Sequence, residues 1–586
     1  MEVETATRIE TQIVIFRFFG MPLSYAPLFR VHKRRVSAYS QKISSETALF
    51  WLHSINMKVL SVNDMNIKEL QEDWDLIVIG GGITGAGILR EAARMGLRVL
   101  LTEQKDFAWG TSSRSSKMVH GGLRYLKEGR LLLTMASVKE RERLLREASG
   151  LVEPLGFLMP VYSGHGPWKT TLGTGLLLYD IMARKRQHSF HSTYDFSMMA
   201  PYIRQEGLRG GFRFLDAQVD DARLVLRLIN ESVTSGAYAM NYTYATRIIR
   251  DDQGEVTGVE VEDTETQATK TFSTRAVINA TGAWAEKLHP SPKPNYHLRP
   301  LRGSHLIFPS QVFPLAQAVA LVHPTDNRPV FAVPWEGAVL FGTTDVEHRE
   351  DISAEPVVTH EEVSYLMKAL HTYFPSLRIS PKDCLSTIAG LRPVLSKGKL
   401  APSKESRDHV VWTDKGLVTV TGGKLTTFRR LALDALEAAM PFLPSVQLPA
   451  KDEHIFPPHN EAEENYDGLS HDMCRRLSGR YGKTAKKIVE MADPEDLSPV
   501  PDTHFLWAEL PFAAKYEQVR HLTDLLLRRV RIGLLTPQGG KEHLDRIQKL
   551  CEPVLSWDTQ RWKEETDMYL DHWKRFYSPP ASFGQE

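Results

Sequence analysis

The stretch from residue 75 to residue 103 constrains the fold more than any other part of the chain. An apolar, β-branched run at 75–80 (DLIVIG) leads directly into a glycine-rich turn at 80–87 (GGGITGAG), a helical pattern through Arg94 and a second apolar run at 97–103 (LRVLLTE). Continuous apolar runs bounded by glycine read as buried parallel strands, so the segment is a complete βαβ unit. Gly80, Gly82 and Gly85 fall at the strand-to-helix turn in the spacing GxGxxG. There the first glycine admits the tight turn, the second lets the backbone approach a pyrophosphate, and the third lets the helix pack close. The helix N-terminus then faces the negative charge, and Glu103, ending the second run, can accept hydrogen bonds from a ribose. The unit predicts a dinucleotide site without separating NAD from FAD.

The rest of the chain sets that unit in context. At 586 residues it exceeds what one core holds, so two or more packed units are expected. Its 42% hydrophobic and 24% charged residues are ordinary for a globular protein. With 72 Lys and Arg against 71 Asp and Glu there is no global signature of nucleic-acid binding, so any anion site must be local. Cys384, Cys474 and Cys551 are far apart and form neither a CxxC pair nor a metal spacing, which predicts a reducing compartment and no metal centre. No stretch reaches the roughly 18 consecutive apolar residues of a spanning helix, because Arg17 and Asp180 interrupt the two best runs. Residues 1–72 read as an extension without assigned function. They are either a disordered tail or residues ahead of a later start at Met57 or Met65, with a transit peptide as a third reading.

Apolar strands ending in glycine recur at 276–282 (AVINATG) and 417–423 (LVTVTGG), while the region between is rich in short strands. One nucleotide-binding domain dispersed along the chain, with a second domain inserted, accounts for this order. After Pro444 a Pro- and acid-rich connection (449–466) gives way to helical periodicity, which reads as a separate helical domain. Its segments 483–490 (KTAKKIVE) and 520–529 (RHLTDLLLRR) carry charged faces that read as solvated helix surface.

Longer motifs select the flavin. A small-polar loop, GTSSRSSK at 110–117, runs into MVHGGLRYL at 118–126, a glycine pair with cationic flanks that a simple dehydrogenase does not need. Together with NATGAW (279–284), GGKLTTFR (422–429), FLDAQVDDAR (214–223), RGSH (302–305), FGTTDVE (341–347), GLRP (390–393) and SRDH (406–409), the chain resembles the FAD-dependent, quinone-linked glycerol-3-phosphate dehydrogenases, within the D-amino-acid-oxidase-like flavoproteins. The resemblance runs from about residue 73 to 575, in the family's order. It implies an α/β fold: an FAD-binding Rossmann-like domain (segments 73–150, 210–285 and 385–444), an inserted α+β substrate domain (151–209 and 286–384) and a C-terminal all-helical domain (445–586).

It also implies oxidation of sn-glycerol 3-phosphate to dihydroxyacetone phosphate, with hydride passing to flavin N5. The implied FAD-binding residues are Gly80, Gly82, Gly85, Glu103, Thr111, Ser112, Ser113, Lys117, His120, Gly121, Gly122, Ala280, Thr281, Gly282, Gly390, Gly423, Lys424 and Leu425. A phosphate dianion needs fixed cations, and guanidinium grips phosphate oxygens in a bidentate way. Arg124, Arg392 and Arg407 match the family's substrate-pocket arginines, and Tyr125 is a hydrogen-bonding partner. His305 is the candidate base for the C2 hydroxyl, since an imidazole suits proton transfer near neutrality; His120 is its rival. Lys424 opens a helix expected over 425–440, where ammonium and helix N-terminus together stabilise developing negative charge.

No second nucleotide motif, iron–sulfur cysteine set or haem-attachment motif is present to relay electrons, and the family's acceptor is ubiquinone or menaquinone. The run 168–186 (WKTTLGTGLLLYDIMARKR) is a short apolar helix with an aromatic near each end and cations after it, suited to dip into one leaflet of an anionic membrane. Its alternative reading is a core helix with a solvated basic end. No EF-hand loop follows the helical domain, so a bacterial-type enzyme is expected, peripheral on the cytoplasmic face of the inner membrane, with a homodimer as a candidate assembly. An oxidase handing electrons to oxygen shares the motifs, and a non-catalytic flavin-binding module is the alternative from another class.

Overall fold

The first apolar run folds as strand Leu76–Ile79, every residue of it buried, and the second as Val99–Thr102 beside it, parallel, with Ile77 opposite Leu100. This computed structural model describes residues 66–580 except 128, 165–168, 290–296, 397–408 and 458–464, and the side chains of 124, 127 and 396 also lie outside it. Most of the 1–72 extension, Trp168 and the SRDH motif up to residue 408 therefore fall outside the described residues.

Six strands drawn from the length of the chain form the nucleotide-binding sheet. Their order is His409–Asp414, Leu417–Gly422, Val277–Asn279, Leu76–Ile79, Val99–Thr102 and Tyr238–Met240. Only the first pair is antiparallel. Helix Ile83–Arg94 lies against the sheet between helices Asp221–Thr234 and Phe428–Ala439, and Gly87 lets Phe428 reach its backbone. A three-stranded antiparallel sheet (Thr243–Arg250, Val256–Asp263, Thr269–Ser273) follows the last of these parallel strands.

A ten-stranded sheet forms the second layer. Its long strands are Val152–Tyr162 paired to Leu208–Val219, and His297–Pro309 paired from His297 to Ile307 with Ser386–Ser396. The helices after residue 466 cover one face of it. Leu525, Leu534, Ile547, Trp562 and Tyr569 are buried in the same apolar cluster as Phe157, Phe214, Ile307, Leu340 and Ile388 of the sheet. The helical region thus shares its main core with the sheet.

The two charged helical segments behave differently. Over 483–490 the lysines reach solvent, as expected. Over 520–529 the expectation fails: Arg528 and Arg529 are buried, in a π-helical turn Leu525–Arg529, and both pair with Asp106 on the other side of the contact. Helix Lys169–Ala183 buries one face through Leu172, Leu176 and Tyr179 while its other face leaves Leu177, Leu178 and Ile181 between 42% and 63% exposed. It is therefore a half-buried helix with a bare apolar face rather than a core helix. Among the described residues no helix is long and apolar enough to cross a membrane.

Candidate active site

The glycine fingerprint builds a cradle whose close contacts account for each glycine. Gly80 has φ +113°, and a side chain there would run into the Ala280 carbonyl of the neighbouring strand end. A side chain at Gly85 would collide with the Gly80 carbonyl, so this glycine sets the distance between helix and strand. Gly82 caps helix Ile83–Arg94, and a Cβ there would come within 3.1 Å of Ser112 Oγ. Glu103 is held by two backbone donors, Gly81 N at 2.7 Å and Lys105 N at 3.0 Å. Burial pushes its carboxyl upward against the pull of those donors.

A cleft of about 460 Å³ runs from this cradle across the ends of the parallel strands. Gly80, Gly82, Glu103, Thr111, Ser112, Ala280, Thr281, Gly282, Gly423, Lys424 and Leu425 all line it. That set joins the fingerprint, the small-polar loop and two later strand ends, at the crevice where open α/β sheets bind ligands. Its position and glycine floor fit a dinucleotide. Lining residues not singled out in the sequence include Trp109, Ser115, Trp284 and the strand start Thr243–Thr246. The last is carried to the ribose end by the bond from Thr243 N to the Glu103 carbonyl at 2.7 Å, a tertiary link without a sequence signal.

Other predicted cofactor residues act behind the wall. Lys117 is fully buried, its Nζ giving hydrogen bonds to Ser113 O and Asp221 Oδ1, both at 2.6 Å. Burial and the nearby Arg531 lower its pKa to about 8. Lys117 and Ser113 brace the loop instead of lining the cleft. Gly390 lets its strand approach Arg114, and Thr111 Oγ1 bonds the Leu391 carbonyl, which ties loop to strand.

At the Lys424 end several predicted groups meet. Gly122, at φ +83°, admits the Tyr125 ring, and the Lys424 ammonium lies over that ring, 4.6 Å from its centroid. Thr426 Oγ1 donates to the His120 carbonyl at 3.2 Å, and Gly121 N donates to Asp216 at 3.1 Å. Lys424 precedes a 3₁₀ turn, Leu425–Thr427, which continues as helix Phe428–Ala439. Arg124 belongs to helix Leu123–Lys127, but its side chain lies outside the described residues, as does all of Arg407.

His305 and Arg392 come from the paired long strands of the second layer. Gly342 faces His305 in register and leaves room for its ring, while Gly303, two residues past the register partner of Arg392, leaves room for the guanidinium. His305 is buried, with Nε2 2.8 Å from Ser116 Oγ. Burial, then the charges of Arg392 and Lys117, hold it well below the ordinary 6.5, which keeps the ring neutral at neutral pH. Arg392 donates to Asp345 Oδ1 at 2.9 Å, Thr344 O at 3.1 Å and Thr343 Oγ1 at 2.8 Å. Its chain neighbour Pro393 lines the cleft, as Lys424 does. Ser116 and Asp345 hold these two groups, and sequence reasoning missed both.

A doubly layered α/β fold with a glycine-floored cleft at the ends of its parallel strands is the architecture of an FAD-dependent oxidoreductase. The family described as FAD dependent oxidoreductase matches residues 75–429, and the C-terminal domain of alpha-glycerophosphate oxidase matches 426–562. The chain is 33% identical over 546 residues to the aerobic glycerol-3-phosphate dehydrogenase of Staphylococcus haemolyticus, covering 88% of this chain and 96% of that one. The same protein from a bovine strain of Staphylococcus aureus is 33% identical over 550 residues, covering 88% and 97%. Among solved structures, the glycerol-3-phosphate dehydrogenase of Bacillus halodurans complexed with FAD is 29% identical with a TM-score of 0.68, covering 86% of this chain and 94% of that one. The chain belongs to the FAD-dependent glycerol-3-phosphate dehydrogenase family, and its cofactor is FAD.

Proposed function

We propose that the protein oxidises sn-glycerol 3-phosphate to dihydroxyacetone phosphate and hands the electrons to a membrane quinone. The observation that carries this reading is the pairing of the strand bearing a neutral buried imidazole, His305, with the strand bearing a fixed guanidinium, Arg392, the second of which reaches the cleft at Pro393. Bound FAD supplies the acceptor for the hydride that leaves substrate C2. Arg392, aided by Arg124 and Arg407, grips the phosphate dianion and so fixes where C2 sits. His305 takes the C2 hydroxyl proton as the carbonyl forms, and Ser116 Oγ holds the ring for that transfer. A bound dianion offsets the Arg392 charge, which raises the proton affinity of the ring when substrate is present. Lys424, set over the Tyr125 ring, lines the cleft, where its ammonium stabilises negative charge developing on oxygen.

The bare face of helix Lys169–Ala183 supports a peripheral seat on the membrane, where a quinone is reached. Oxygen is the acceptor in the second reading, which the C-terminal match to an oxidase domain favours. Purified protein is expected to be yellow, and anaerobic glycerol 3-phosphate, but not glycerol, should bleach it. At subsaturating glycerol 3-phosphate, where the rate reads the free enzyme, bleaching should not lose rate to His305 protonation as pH falls through 6.5, since the neutral ring persists below that value. An unbleached flavin sinks the substrate reading. Stoichiometric hydrogen peroxide without added quinone replaces the quinone with oxygen.

A further inference from the structure

Arg392 is held by a buried carboxylate that a second arginine shares. Its Nη1 lies 2.9 Å from Asp345 Oδ1, and the other oxygen of the same carboxylate lies 2.6 Å from Arg328 Nη2. The Asp345 side chain is 1% exposed, whereas the Arg392 and Arg328 side chains are 24% and 25% exposed. Arg328 also donates to the Asp345 backbone carbonyl at 3.1 Å, so it grips both ends of the residue. The nearby Glu362 is committed elsewhere: it accepts from Arg302 Nε at 3.0 Å, Ser304 Oγ at 2.8 Å and Thr344 Oγ1 at 2.7 Å.

A buried carboxylate fixes a guanidinium well but cancels its charge. A neutral Asp–Arg pair is a poor receptor for a dianion, because the phosphate would meet the field of the carboxylate as strongly as that of the cation. Two guanidiniums on one carboxylate solve both problems, since orientation is kept and the trio carries a net charge of +1. Resting on the substrate reading above, we propose that Arg328 and Asp345 are positioning residues that set the charge of the phosphate clamp. Asp345 orients Arg392, and Arg328 restores the positive charge that Asp345 removes.

This account makes affinity follow net charge, and that separates it from a packing role. Arg328→Met leaves the trio at 0, Asp345→Asn at +2, and the double variant returns it to +1. The flavoenzymes are compared by anaerobic flavin reduction with glycerol 3-phosphate and by calorimetric titration with inorganic phosphate. Arg328→Met is expected to weaken both affinities about tenfold while FAD content and limiting reduction rate hold. The double variant restores the charge but not the full grip on Arg392, so it should recover part of the affinity lost in Arg328→Met, and Arg328→Lys should keep the wild-type affinities. A double variant weaker than Arg328→Met, or an Arg328→Met protein that binds phosphate as the wild type does, overturns the proposal. If Asp345→Asn proteins do not fold, Arg328→Lys against Arg328→Gln decides, and equal affinities in that pair overturn it. A wild-type flavin that glycerol 3-phosphate leaves unbleached overturns the substrate reading instead, and the phosphate affinities then judge the clamp by themselves.

Discussion

Gly82 and Gly85 belong to one fingerprint, yet the structure gives them separable tasks. A side chain at Gly85 meets the Gly80 carbonyl, which is backbone and cannot move aside, whereas one at Gly82 meets only the Ser112 hydroxyl. Gly82→Val should therefore fold and purify without flavin, because its side chain fills the space a pyrophosphate needs. Gly85→Ala should be destabilised by about 1–3 kcal/mol through forced separation of helix and strand. Flavin absorbance per protein and thermal melting measure the two effects, and a yellow Gly82→Val protein refutes the assignment. These residues, like His305, Tyr125 and Lys424, are legible in the sequence because each sits in a string whose spacing carries its role. Ser116 and Asp345 are not, because they reach His305 and Arg392 from loops, through tertiary contacts that no local pattern encodes.

At the scale of elements, apolar runs gave the parallel strands directly, since burial on both faces leaves no alternation to misread. Helix faces are less legible. The charge pattern of 520–529 is the same whether its partners are water or Asp106, and only the fold supplies the difference. Helix Lys169–Ala183 is a third case. Its exposed Leu177, Leu178 and Ile181 are joined by Leu131, Leu132 and Met135 on the neighbouring helix Leu131–Glu147, which packs on it around Val138 and Tyr179. Lys185 spends part of its charge on Glu142, at 2.7 Å. The apolar face should then contribute as much to membrane seating as the cations of 184–186. Replacing Leu132 and Ile181 by Gln, each worth on the order of 1 kcal/mol when buried in lipid, should weaken binding to anionic vesicles more than tenfold. Reduction of a soluble artificial acceptor should continue unchanged. Vesicle sedimentation equal to that of the wild type would show that these helices face something other than a bilayer.

Across the whole molecule, buried charge pairs join the helical layer to the flavin loop. Asp106, just past the second strand of the cradle, accepts from Arg528 and from Arg529 Nη1 at 2.6 Å and Nη2 at 2.8 Å, all three residues being buried. Glu355 takes Arg114 at 2.5 Å and His572 at 3.2 Å, so the last long helix touches the same loop. Glu517 takes Arg223, and Asp220 takes Arg480. Such pairs gain little over apolar packing, but removing one partner strands a charge out of water. Burial pushes the Asp106 carboxyl up, and the two arginines outweigh that and hold it below its ordinary 3.8. A depressed pKa contributes stability that is complete above 3.8 and is lost as pH falls toward the folded value. Asp106→Ala should therefore lose about 3–5 kcal/mol at neutral pH, because buried Arg529 is left with the Glu517 carbonyl and no carboxylate, and Arg528 is left with Asp524 alone. Because Asp106 leads into the loop that carries Thr111 and Ser112 to the cleft, the variant should lose flavin as its helical layer loosens. Its melting temperature should also respond less to acid than that of the wild type, since the titrating group is gone. A variant that melts and binds FAD as the wild type does would mean that the shared apolar core alone joins the layers.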